Sequence, residues 1–86
     1  MPADPALTET TLLRLLTDAG KGRTISPTEV ARALRPDPQW HLLMPGVRRA
    51  AVKLALAGTI MIYRKGKPVD PHDFKGVYRL GLARED

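Results

Sequence analysis

The residues with chemistry to offer are cations, and they fall in one stretch. Between Asp37 and Asp70 the chain has no acidic residue, while Arg48, Arg49, Lys53, Arg64, Lys65 and Lys67 all lie there. Guanidinium and ammonium groups without neighbouring carboxylates attract polyanions, so the chemistry implied is contact with phosphates or base edges. The first 20 residues run the other way. There Arg14 stands against Asp4, Glu9 and Asp18, a balance of −2, which leaves +7 for the rest of a chain of net charge +5. A solvated face kept soluble by its charge is the simpler account of such a run. A binding role requires the six side chains to meet in space.

Bond-making chemistry has little to work with. The chain has no cysteine, which excludes disulfides, thiolate zinc sites and cysteine nucleophiles. Asp70, His72 and Asp73 form the one cluster resembling a metal or acid–base site, and Asp70-Pro71-His72-Asp73 reads more simply as a turn. His41 stands alone, and there is no glycine-rich phosphate loop, nucleophile motif or carboxylate pair. The expectation is a non-enzymatic protein with no catalytic residue, no metal site and no cofactor.

These cations must be positioned by a single small domain, because 86 residues support one core and no interdomain cleft. Aromatics are only 5% of the chain, so that core must be mainly aliphatic. After a short mobile lead-in, Asp4-Pro5 opens a helix over residues 5–19, with Leu12, Leu15, Leu16 and Ala19 at helical spacing and Gly20 as stop. Thr24 and Ile25 suit a very short strand. Ser26-Pro27-Thr28-Glu29 is a capping box, and it starts a helix over 27–34 with Val30, Ala31 and Leu34 inward.

Asp37-Pro38 opens a third helix over about 38–57, on which Trp40, Leu43, Met44, Val47, Ala51 and Leu54 form one stripe. Pro45 inside it predicts a kink or break near His41 to Met44. Trp40 reads as a core plug rather than a base-stacking platform. Residues 59–63 read as a strand, 64–67 as a turn, 69–76 as an irregular loop and 77–80 as a second strand, with Tyr63 and Tyr78 as cross-strand neighbours. Fraying is expected over 83–86, and the ordered core over about 5–82. No signal peptide is legible, and the apolar stretch 54–63 is too short for a bilayer. A cytoplasmic protein with no membrane association follows.

Helix, short strand, helix, long helix and β-hairpin is the order of a winged helix-turn-helix, an α+β fold that is mostly α. Its short strand pairs with the closing hairpin, which is marginal on its own. At about 100° per residue, with Val47 at zero, Arg48 lies near 100°, Val52 near 140°, Leu56 near 180°, Arg49 near 200° and Lys53 near 240°. Arg49 and Lys53 are therefore neighbours on the face such folds insert into a major groove, with Arg48 at its edge. Arg48 could instead pair with an acid such as Glu29 or Asp37.

Motifs across the chain support the same fold. Trp40-x-x-Leu43-Met44-x-x-Val47-Arg48, Leu54-Ala55-x-x-Gly58-x-Ile60, Gly66-x-x-Val69-Asp70-Pro71 and Arg79-Leu80 lie downstream of Ser26-Pro27-x-Glu29-Val30-Ala31. Together they resemble a short bacterial family catalogued as domain of unknown function 3253, over about residues 25–80. The resemblance implies a compact winged-helix-like domain and brings no activity, ligand or catalytic residues.

The leading expectation is a transcription-related module that binds duplex DNA through Arg48, Arg49 and Lys53 on the helix and Arg64, Lys65 and Lys67 on the wing. The alternative is a protein-interaction module on the same scaffold, to which Val52 and Leu56 would contribute an apolar patch. Either would be a monomer or a weak homodimer.

Overall fold

The computed structural model describes residues 4–83. The expected lead-in before Asp4 and most of the expected fraying at the C-terminus lie outside them. Three α-helices and a four-stranded antiparallel sheet form a winged-helix-like α+β layout, about half of it helical.

Local signals set the first two helices. In α1, Pro5–Ala19, the Asp4 carboxylate accepts from the Ala6 amide at 2.9 Å. In α2, Pro27–Leu34, both bonds of the capping box form. The Glu29 amide donates to Ser26 Oγ at 3.3 Å, and the Ser26 amide donates to Glu29 Oε2 at 2.7 Å.

The third helix divides where the proline predicts. Pro38–Leu43 is a 3-10 helix capped by Asp37, and α3 runs Met44–Leu56. Pro45 then falls in the first turn of α3, where its missing N–H has no helical partner to lose. Backbone and side-chain bonds from Gln39 and Arg35 hold the Asp37 carboxyl below its ordinary value.

Strand β1, Thr24–Ile25, joins β2, Ile60–Arg64, β3, Lys67–Pro68, and β4, Arg79–Leu82, in the order β1-β4-β2-β3. The two-residue strand after α1 does pair with the hairpin, Ile25 opposite Leu80. Lys65 and Gly66, with φ of 51° and 80°, make the left-handed two-residue turn that joins β2 to β3. Strand β3 is absent from the sequence reading.

The hairpin also corrects two expectations. The last strand begins two residues later than the β-branched pattern implies, because Val77 is 85% exposed and its carbonyl accepts from Arg64 Nε at 3.1 Å. Tyr63 and Tyr78 are not cross-strand neighbours. The register sets Tyr63 opposite Arg79, while Tyr78 precedes β4 and packs edge-on against Phe74.

The core lies between the helices and one face of the sheet. Leu12, Leu16, Val30, Ala31, Val47, Ala51, Ile60, Ile62 and Leu80 are essentially sealed, and each large aliphatic among them contributes about 2 kcal/mol of burial. Leu34 is only partly buried at the edge of this core. Trp40 is a half-buried plug, packed against the core with the Arg32 guanidinium 4.8 Å over its ring.

Candidate functional site

Each of the six cations has a definite place. Arg48, in the second turn of α3, reaches across to the connection between β2 and β4, residues 65–78. Its Nη2 donates to the Phe74 carbonyl at 2.6 Å, and its guanidinium lies 3.8 Å from the Phe74 ring centroid and 5.8 Å from that of Tyr78. Its partner is thus a carbonyl and an aromatic pair, not Glu29 or Asp37. Glu29 is engaged in its capping box and Asp37 with Arg35. A charge-assisted bond and a cation–π contact on one side chain fasten the wing loop to α3. Beneath it, burial raises the Tyr78 phenol above its ordinary value of 10.0, opposed in part by the Arg48 charge.

Arg49 and Lys53 lie one turn apart, as their spacing implies, but they do not face open solvent alone. They line a cleft of about 270 Å³ against α1, together with Pro5, Thr8 and Glu9. Lys53 Nζ donates to Glu9 Oε2 at 3.1 Å. Of the apolar residues on this side of α3, Val52 packs against the core and Leu56 stays 54% exposed.

Arg64, Lys65 and Lys67 gather at the β2–β3 turn, with Arg64 and Lys67 opposite in register. Arg64 is engaged with the Val77 carbonyl. Arg49, Lys65 and Lys67 make no ion pair or side-chain hydrogen bond among the described residues.

Lys65 also lines a second cleft, of about 360 Å³, on the face of the sheet away from the helices. Two cations that the sequence reading did not single out line it too, Arg23 and Arg79. Neither lies in the acid-free stretch, and only the β1–β4 pairing brings them to one place. The one hint was the short strand itself, which predicted that residues near 24 and 80 would meet.

The Asp70–Asp73 segment is a turn. The His72 amide donates to Asp70 Oδ1 at 2.9 Å and the Asp73 amide to the Asp70 carbonyl at 3.0 Å. Among the described residues, no group of three or more His, Cys, Asp and Glu side chains comes together to hold a metal ion. No helix among them is long and apolar enough to cross a membrane.

No curated protein matches the chain. A family model matches residues 5–83, from the first residue of α1 to just past β4, and so takes in every element that builds the two clefts; the chain belongs to the DUF3253 family, described as protein of unknown function.

Proposed function

We propose that the protein is a non-enzymatic winged-helix module that binds duplex DNA. The exposed edge of α3 would lie along the major groove and the β2–β3 turn on the backbone. The supporting observation is the Arg48–Phe74 contact, which joins α3 and the loop that follows the β2–β3 turn into one unit. Arg48 and Arg64 serve that unit from within, and Arg49, Lys53, Lys65 and Lys67 keep exposed side chains for phosphates.

Four such contacts correspond to a log–log salt slope of roughly −3 to −4, measurable by fluorescence anisotropy between about 50 and 200 mM salt. A variant carrying Arg49→Glu and Lys53→Glu is expected to bind at least about tenfold more weakly. A flat salt response, or unchanged affinity in that variant, overturns the reading.

A protein-binding module on the same scaffold is the second reading. It is favoured by the exposure of Leu56 at the C-terminal end of α3. Leu56→Ser, which removes the apolar side chain without adding a charge beside Arg49 and Lys53, separates the two readings. It leaves duplex affinity unchanged if α3 reads DNA, and it abolishes retention of a nuclease-resistant partner if Leu56 anchors one.

A further inference from the structure

The outer face of the sheet shares only Lys65 with the duplex reading, and among the described residues its cleft is lined by no carboxylate. Strand alternation turns Ile60, Ile62 and Leu80 to the helices, and Thr24, Tyr63, Arg79 and Gly81 to the other side. Tyr63 lies across Gly81 so closely that a Cβ there would meet the ring edge at 3.0 Å and the Arg23 carbonyl at 3.4 Å. Glycine at this strand position is what lets the ring lie down on the sheet.

Around that ring stand three cations, Arg23, Lys65 and Arg79, and among the described residues no acidic one lines the cleft. Arg79 is fixed in advance, its Nε donating to Thr24 Oγ1 at 2.7 Å and its Nη2 to the Thr24 carbonyl at 3.0 Å. A guanidinium has five N–H donors, so others remain for a ligand. Lys65 holds a left-handed backbone, φ 51°, where glycine or asparagine would fit at less cost. The lysine there sets its charge on the rim of the cleft.

We propose that this cleft binds one nucleotide unit, its base stacked on Tyr63 and its phosphate held by Arg23, Lys65 and Arg79. A volume of about 360 Å³ lies at the small end of ligand sites, which suits a single nucleotide rather than a long segment. An aromatic ring on a sheet face beside a cationic rim is the usual physical solution for unpaired bases. The nucleotide can come from a single-stranded nucleic acid or from a free mononucleotide. The inference goes beyond the duplex reading and uses neither Arg49 nor Lys53.

The test titrates the intact protein with a short labelled single-stranded oligonucleotide, and separately with AMP and with inorganic phosphate. Binding of the strand is expected, with AMP displacing it if a free nucleotide is the source and failing to displace it if a strand is required. Tyr63→Leu should weaken binding by about 5- to 100-fold, and Tyr63→Phe, which keeps the ring, should restore it. Arg23→Gln, at an exposed position whose side chain makes no hydrogen bond among the described residues, should weaken binding and flatten the salt slope by about 0.7.

No binding of strand or AMP, full affinity in Tyr63→Leu, or displacement by inorganic phosphate as effective as by AMP overturns the proposal. The variant carrying Arg49→Glu and Lys53→Glu should leave this binding intact while losing the duplex, so each reading can fail without the other.

Discussion

Two clefts of this molecule carry cations, and they differ in what faces those cations. Between α1 and α3, Arg49 and Lys53 share their cleft with Glu9, which accepts from Lys53 at 3.1 Å. On the outer face of the sheet, Arg23, Lys65 and Arg79 share their cleft with no carboxylate among the described residues. Along the chain the contrast runs the other way. Arg49 and Lys53 lie in the long acid-free stretch, while Arg23 and Arg79 lie outside it. The difference shows that charge counted by position along the chain is not yet a field. The acidic first helix folds back on the basic third one, whereas a two-residue strand brings Arg23 beside Arg79 and leaves both exposed.

Arg48 belongs to neither cleft, and replacing it is expected to have the largest effect on stability. Arg48→Ala removes a charge-assisted bond to the Phe74 carbonyl and the contact with two rings, together worth about 2 to 3 kcal/mol. Thermal unfolding should drop by about 10 to 20 °C for a domain of this size. Arg48→Lys keeps the charge but loses the planar fork, and should retain little of the stability. If instead Arg48→Ala leaves unfolding unchanged and weakens only DNA binding, the residue is a phosphate contact and the clamp is not structural.

How much of this was legible follows from how local each signal is. Helices α1 and α2 begin and end as read because Asp4-Pro5 and Ser26-Pro27-Thr28-Glu29 act within one turn. The break before α3 was equally legible, since it depends on Pro45 alone. The Arg48 contact was not legible, because Phe74 lies 26 residues away in an irregular loop that no periodicity describes. The outer cleft was hidden for a related reason. Its floor depends on Tyr63 lying over Gly81, which only the strand register decides. The same register moved Tyr78 off the strand and into the junction with Phe74.

Tyr78 sharpens the picture of that junction. Its hydroxyl is buried and has no hydrogen-bond partner among the described residues, an arrangement that costs about 1 to 3 kcal/mol. Tyr78→Phe should therefore stabilise the fold by about 1 kcal/mol, a rise of some 4 to 8 °C on thermal unfolding. The pH dependence gives an independent sign. Burial raises the folded-state pKa above the ordinary 10.0, so the neutral phenol favours folding, fully below pH 10 and decreasingly as pH climbs toward the folded value. The phenylalanine variant should lose less stability above pH 10 than the parent. A variant that melts earlier at neutral pH shows that the hydroxyl has a partner after all.

The smallest effect bears most directly on the contrast between the clefts. Glu9→Gln removes the carboxylate that pairs with Lys53 while keeping nearly the same volume. Lys53 is 72% exposed and Glu9 20%, so the pair contributes about 0.2 to 1 kcal/mol, and the stability lost should be no larger. Freed of its partner, Lys53 meets a phosphate without first giving up an ion pair, and duplex affinity should rise by about two- to fivefold. Single-strand binding on the sheet should not respond, because Glu9 does not line that cleft. Equal gains for both probes would mean that Glu9 acts only through net charge at long range. The two clefts would then share one field, and the distinction between them would fail.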